Sequence, residues 1–464
     1  MEAVTATQVS PDQVEDIYLQ HMNARGMMPM VLGLTESKGV DLYDQLKGKK
    51  YLDFFGFYAS NALGMNHPKL IGDAAFLERL TEVAVNKITN SDIRTTHMAR
   101  FLKTFERVAM PDYLPYAFFV SGGALAVENA LKTAFDWKVR KNFQKGYRRE
   151  VGTQVLHFDQ AFHGRSGYTL SLTNTADPRK TMYFPKFDWP RILNPKVLFP
   201  VEQYLEDIEK REKLALNQAK HYFNDRKDDI ACIIIEPIQG EGGDNHFRHE
   251  FLQALKDLAL ENESLLIFDE VQTGVGITGS FWAHQAIGVE PDIIAFGKKT
   301  QVCGILAGRR LDEVEGHVFQ TQSRINSTWG GNLVDMVRFD RILEVIDEDN
   351  LLENAAVVGA HLQQRLQEMK AICPSVRNVR GRGLFCAFTL PSTEFRNRVL
   401  QRCYDDGLVI LGCGTRSIRF RSPLTITKAD IDRGIGLLTS AVQASEHDYK
   451  PFRDQGLPDA LTDG

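Results

Sequence analysis

The chain has 464 residues, 43% of them hydrophobic and 25% charged, with a formal net charge of −5. These are the proportions of an ordinary globular protein, long enough for about two or three domains and a substantial core. Both signs of charge are interspersed without blocks, which argues against nucleic-acid or membrane-surface partners, since either would favour a basic patch.

Residues Met1 to Gln20 carry Glu2, Asp12, Glu15 and Asp16 and no apolar run, so no secretory leader is expected there. No stretch approaches the ~20 apolar residues of a membrane span, and a cytoplasmic location follows as the expectation. The cysteines Cys232, Cys303, Cys373, Cys386, Cys403 and Cys413 form no C-x-x-C pair. Neither a disulfide framework nor a zinc site is expected in a chain of this size and spacing, and no other metal is called for.

In chain order, a polar helix is predicted over Pro11 to Met22, then a hairpin pairing Gly39–Tyr43 with Tyr51–Phe55 across Lys47–Lys50. Ser121–Gly122–Gly123–Ala124 precedes a helical stretch from Leu125 to about Arg140. Val155–Phe158, Ala231–Glu236, Leu265–Asp269 and Ile293–Ala295 are short, β-branched and nearly all apolar, the pattern of buried parallel strands. Phe251–Glu261 has helical spacing between two of them, which makes a βαβ unit with a right-handed crossover. The segment Thr175–Pro200, rich in proline and aromatics, reads as a functional or covered loop. Beyond it come helices over Leu333–Asp347 and Ala355–Ala371, strands over Arg382–Thr389, Leu408–Leu411 and Ser417–Arg421, and a last helix from Lys428 to Ser445. The fold class is α/β, with a mostly parallel sheet in a large domain (68–338) and a smaller α+β domain (339–464). Residues 1–67 form a segment expected to pack with the smaller domain.

Four places could carry chemistry. Asp269 ends a buried strand, where an acid is costly without a partner; a pyridinium nitrogen is one such partner and a structural salt bridge is another. Lys298 and Lys299 follow Gly297 at a strand end, where partial desolvation lowers an amine's pKa and suits Schiff-base formation. The pattern alone does not choose between the two lysines, and surface lysines are far commoner. Gly122–Gly123 before a helix can admit a phosphate to free N–H groups, although such a pair is more often just a turn. Phe162 could stack on a flat ring and Arg165 could grip a carboxylate, or both could belong to an ordinary loop.

Taken together, Ser121–Gly122–Gly123–Ala124, Phe162–His163–Gly164–Arg165, Glu236–Pro237–Ile238–Gln239–Gly240–Glu241, Asp269–Glu270–Val271–Gln272–Thr273–Gly274 and Gly297–Lys298 resemble the class III aminotransferases over almost the whole chain. Gln239–Asp244, Phe296–Gly304 and Asn326–Asn332 are similar to the L-lysine 6-aminotransferase branch of that family. Two departures stand inside good matches: Ala124 where many members carry an acid, and Ser422–Pro423 where a double proline is commoner.

The resemblance implies a fold-type I, pyridoxal 5'-phosphate-dependent homodimer with shared active sites. It selects Lys298 as the cofactor-bearing lysine. Gly123 and Ala124 would hold the cofactor phosphate, joined by Thr328 from the other subunit. Phe162 and Val271 would flank the ring, Asp269 would meet its nitrogen, Gln272 its 3'-oxygen, and Glu236 would stand beside it. Arg165 and Arg419 would bind substrate carboxylates, with Arg421 as the alternative to Arg419. The implied substrates are L-lysine, 2-oxoglutarate and L-glutamate, with ornithine or 4-aminobutyrate aminotransferase as the alternative. A decarboxylase or aminomutase on the same fold, or a binding protein that has lost the chemistry, are the more distant rivals. Because lysine brings no carboxylate beside its reacting carbon and glutamate does, Glu241 is expected to pair with Arg419 in one half-reaction and swing away in the other, helped by mobile glycines at Gly240, Gly242 and Gly243.

Overall fold

The computed structural model describes residues 9–448. Its centre is a seven-stranded sheet in the order Tyr116–Val120, Cys303–Ala307, Ile293–Phe296, Leu265–Asp269, Ile230–Ile235, Gln154–Phe158, Arg191–Ile192. Every pairing from Ile293–Phe296 to Arg191–Ile192 is parallel, and Cys303–Ala307 alone runs against its two neighbours.

The middle strands are apolar throughout because helices cover both faces. Leu265 and Ile267 pack with Ala126, Ala130, Ala134 and Trp137 of the helix Gly123–Gln144. Leu266 and Phe268 alternate to the opposite face and join Phe251, Leu252 and Leu255 of the helix His249–Glu261. Alanines at every fourth position give the first helix a smooth flank that lies close to the sheet. The two parallel strands that bracket His249–Glu261 are neighbours, as the βαβ pattern predicts.

A second sheet has the order Arg377–Arg382, Phe385–Thr389, Ser417–Arg419, Leu411–Cys413, all antiparallel. Here the sequence reading needs correction. The predicted strand Arg382–Thr389 is the second half of a hairpin bent at Gly383, whose φ is +57°. Its first half, rich in arginine, carries no predicted element of its own. It is a strand because the Arg380 guanidinium is absorbed by the carbonyls of Asp244 and Asn378 and by the hydroxyls of Thr389 and Ser417. The predicted strand Leu408–Leu411 also divides: Leu411–Cys413 joins this sheet, and Leu408–Val409 runs parallel to Lys49–Asp53 in a third sheet. That third sheet contains the expected N-terminal hairpin, here Asp41–Asp44 against Lys49–Asp53. The 25-residue helix Val201–Asp225 follows the proline-rich segment and joins two strands of the seven-stranded sheet, Arg191–Ile192 and Ile230–Ile235.

Past the hairpin the chain makes one left-handed turn, with φ of 50, 52, 60 and 68° at Gly56, Phe57, Tyr58 and Ala59. Such a turn costs L-residues about 1–2 kcal/mol each, so it needs outside support. Asp53 supplies some, its carboxylate accepting from the backbone N–H of Phe55 (2.8 Å) and Gly56 (2.7 Å). Lys299 supplies more, donating to the Ala59 carbonyl at 3.3 Å. A Cβ at Gly56 would overlap the Arg421 carbonyl oxygen, whereas one at Gly39 (φ +55°) would meet nothing within 4 Å. Gly56→Ala should therefore lower stability by about 2–4 kcal/mol and Gly39→Ala by about 1 kcal/mol in urea unfolding. Equal losses would mean that backbone conformation alone sets the penalty.

Candidate active site

A cavity of about 1000 Å³ opens beyond the carboxyl ends of the parallel strands, and Phe162, Arg165, Glu241, Gln272, Lys298 and Arg419 line it. Crevices at these strand ends are where open α/β sheets bind ligands, because the loops there are free of the sheet's own hydrogen bonding.

The two adjacent lysines have different fates. Lys299 is buried and donates to the backbone carbonyls of Gln272 (3.0 Å) and Ala59, and burial holds its pKa well below the ordinary value. Lys298 has φ of +57°, a strained geometry that turns its side chain into the cavity. Burial, followed by the charges of Arg419 and Arg421, lowers its pKa to about 7. An amine so placed is available as a nucleophile near neutrality.

Asp269 is 4% exposed; its carboxylate accepts from the Val271 N–H (3.0 Å) and binds His163 Nδ1 (2.8 Å). The neighbouring Glu270 is committed elsewhere, to the N–H groups of Ala283 (3.1 Å) and His284 (2.9 Å) and to the His284 ring. Of these two adjacent acids, one holds His163 with its charge felt by Lys298, behind the cavity lining, and the other braces a helix. Glu236 accepts from the N–H groups of Phe162 and Gly240, both at 2.9 Å, and burial raises its pKa to about 7. It ties the Phe162 loop to the Gly240 loop and does not line the cavity.

Gly123 opens the 22-residue helix Gly123–Gln144 behind Gly122, whose φ is +114°. A Cβ on Gly123 would stand 3.1 Å from Val271 Cγ1, and one on Gly297 would stand 3.3 Å from the same methyl. The helix start, Val271 and the strand leading to Lys298 therefore converge without intervening side chains. These features fit pyridoxal phosphate: an amine with no hydrogen-bond partner among the described residues, glycines before the open N–H groups of a helix start, a buried carboxylate, and Phe162 with Val271 beside them. Thr328 is exposed and outside this cavity; its carbonyl accepts from Ser91 Oγ at 3.2 Å.

The arginines separate as the lysines do. Arg421 is fully buried and its Nη1 donates to Asp244 Oδ2 at 2.8 Å, with the guanidinium 3.5 Å over the Phe385 ring. Removing either partner of such a pair costs about 3–5 kcal/mol. Among the described residues Arg419, 4% exposed, has no carboxylate partner: its Nη1 donates to Gln272 Oε1 at 3.3 Å and its Nε finds no acceptor. Burial and the Arg421 charge hold its pKa below the ordinary value. Gln272 Oε1 also accepts from Arg421 Nη2 at 2.8 Å, so one amide links both arginines. Arg165 is exposed on the cavity wall.

Glu241 differs from expectation. Its carboxylate is bound by Lys180 Nζ at 2.6 Å and by Thr175 Oγ1 at 2.8 Å, rather than by Arg419. The segment that reads as a covered loop folds across the cavity and offers two donors, while Arg419 faces Gln272. The glycines around Glu241 also serve packing rather than freedom. A Cβ on Gly240 or Gly242 would overlap Gln272 Oε1 or the Gln160 carbonyl oxygen, and the Glu241 carbonyl accepts from Gly414 N–H at 2.7 Å. Only the side chain is left to move. Sequence reading missed Lys180, Thr175, His163 and Asp244 as site residues. His163 and Asp244 sit inside the quoted motifs and were open to inspection, whereas nothing in the local pattern marks Lys180.

Comparison with known proteins agrees with this geometry. The family model "Aminotransferase class-III" matches residues 22–442. The L-lysine-epsilon aminotransferase of Mycobacterium bovis is 52% identical over 441 residues, 95% of this chain and 97% of that one. That of Streptomyces clavuligerus is 50% identical, over 92% of this chain and 93% of that one. The solved structure of lysine aminotransferase from M. tuberculosis in the internal aldimine form is 52% identical with a TM-score of 0.92, covering 94% of this chain and all of that one. The chain belongs to the class III aminotransferases, a pyridoxal-phosphate-dependent family of the fold-type I architecture.

Proposed function

We propose that the enzyme transfers the terminal amine of L-lysine to 2-oxoglutarate by a ping-pong route, giving L-glutamate and L-2-aminoadipate 6-semialdehyde, which cyclises to 1-piperideine-6-carboxylate. The observation that carries this reading is one cavity holding a lysine poised near neutrality, a buried arginine without a carboxylate, and a glutamate on the same wall. The identity of about 50% to lysine-epsilon aminotransferases favours lysine over ornithine or 4-aminobutyrate, which pocket length alone separates poorly.

Pyridoxal phosphate supplies an electron sink for the carbon that loses its proton. Lys298 holds the cofactor through its amine and, once displaced by substrate, moves a proton at the reacting carbon. Asp269, oriented by His163 and the Val271 N–H, would meet the ring nitrogen; Phe162 and Val271 would flank the ring, and Gln272 would serve its 3'-oxygen. Gly123 and Ala124 offer N–H groups to the phosphate, and Glu236 fixes the two loops that frame the ring. Arg419, rather than Arg421, receives the α-carboxylate of glutamate or 2-oxoglutarate, since Asp244 already neutralises Arg421. Arg165 receives the distal carboxylate. With lysine bound, nothing charged faces Arg419, and Glu241 turns to it.

The same reading makes the enzyme a homodimer in the cytoplasm. Thr328 serves the site of the second copy, consistent with its exposure outside the cavity of its own chain. Exposed Tyr58 (53%), Phe184 (53%) and Trp329 (45%) are apolar surface that a second copy would cover. Among the described residues no helix is long and apolar enough to cross a membrane. We take residues 1–67, 68–338 and 339–464 as N-terminal segment, large domain and small domain.

Adding L-lysine to the purified enzyme without a keto acid should convert the visible absorption of the bound cofactor to that of its aminated form. Conversion by ornithine or 4-aminobutyrate alone would reassign the substrate. Glu241→Ala should slow the lysine half-reaction by about 10–100-fold more than the glutamate half-reaction, because only the former leaves Arg419 uncompensated. Equal loss in both would remove the role given to Glu241. Uptake of pyridoxal phosphate by the apoenzyme should quicken as pH rises through about 7, where Lys298 loses its proton, and level off above it. Arg419→Met removes one of the charges that depress this pKa, so the midpoint should move upward; the rise in visible absorbance during reconstitution reports both.

A further inference from the structure

Lys180 lies in a segment whose sequence carries no aminotransferase signature, yet it makes the shortest contact to Glu241, 2.6 Å from Nζ to Oε1. It closes the short helical turn Pro178–Lys180, and its amine stands 5.9 Å from the centre of the Phe162 ring. Thr175, five residues earlier, binds the same carboxylate oxygen. Among the cations that line this cavity, Glu241 holds Lys180 at the solvated edge and leaves Arg419, in the buried depth, unpaired with it. The side chains of the held pair are 32% and 24% exposed, which makes it a weak and easily surrendered contact. Since the backbone of Glu241 is clamped, the choice between the cations is a rotation of its side chain alone.

We propose that Lys180 is a positioning residue that keeps Glu241 off Arg419, and so sets the balance between the dicarboxylate and lysine half-reactions. The inference rests on the role given to Glu241 above. With Glu241 on Lys180 and Thr175, Arg419 is open to the α-carboxylate of glutamate or 2-oxoglutarate. With Glu241 on Arg419, the buried charge is compensated and the carboxylate-free end of lysine fits beside it. Any residue that stabilises the first arrangement raises affinity for dicarboxylates in proportion to the fraction of molecules it holds open.

The test uses the holoenzyme and measures kcat/KM for each half-reaction separately from cofactor absorbance, in Lys180→Met, Lys180→Arg, Glu241→Ala and the Lys180→Met/Glu241→Ala double variant. Lys180→Met should lower the ratio of glutamate to lysine kcat/KM by roughly three- to tenfold. Lys180→Arg should restore it to within about twofold, and in the Glu241→Ala background the Lys180→Met change should shrink to less than about twofold. An equal fall in both half-reactions would make Lys180 a structural residue and overturn the proposal. So would an effect that persists undiminished without Glu241, since Lys180 would then be touching substrate directly. Equal slowing of both half-reactions by Glu241→Ala alone would instead locate the failure in the role of Glu241, and the proposal would fall with it.

Discussion

Asp244 and Arg421 meet where neither side chain reaches solvent, and three remote pieces of the chain are joined there. Asp244 ends the glycine-rich loop that carries Glu241. Arg421 follows the strand that carries Arg419, and its own N–H donates to Phe54, just ahead of the left-handed turn. Gln272, three residues beyond Asp269, accepts from both arginines. An isolated buried cation would be intolerable there; a neutralised one is a rigid post. Around it the chain can keep a second arginine uncompensated and a lysine near its point of deprotonation.

Charge placement in this cavity follows one rule applied twice. Of two neighbouring lysines, backbone carbonyls hold Lys299 and leave Lys298 for the ligand. Of two arginines two residues apart, Asp244 engages Arg421 and leaves Arg419 with only an amide oxygen. In each pair the occupied member shapes the surroundings of the other, and like charge nearby helps depress the pKa of the one left open. Function sits on the group whose interactions the protein has left incomplete.

Much of this was legible beforehand, for reasons that differ by element. Strands such as Leu265–Asp269 and Ile230–Ile235 are buried on both faces, and continuous apolar runs announce that. Motif residues such as Asp269 and Lys298 were legible because their chemistry requires those types in that order. The strand Arg377–Arg382 was not, since its burial depends on carbonyls from a loop some 130 residues away in sequence, at Asp244. The partner of Glu241 was hidden for the same reason: an ion pair between Lys180 and a distant loop leaves no periodicity to read. The resemblance put Arg419 ahead of Arg421, whereas the engagement of Arg421 by Asp244 had no signal in the sequence.

The division of the chain at Ile410 has a mechanical meaning. Val409 pairs with Asp53 in the N-terminal sheet, and Leu411, two residues on, pairs with Arg419 in the other. A single residue is thus the axle between the two sheets along the chain, and the Arg421 N–H donating to Phe54 ties them again just beyond their strands. Phe57 and Tyr58, which line the entrance, ride on one side of that axle, and Arg419 rides on the other. The cavity wall is therefore drawn from both sides of one short link of chain.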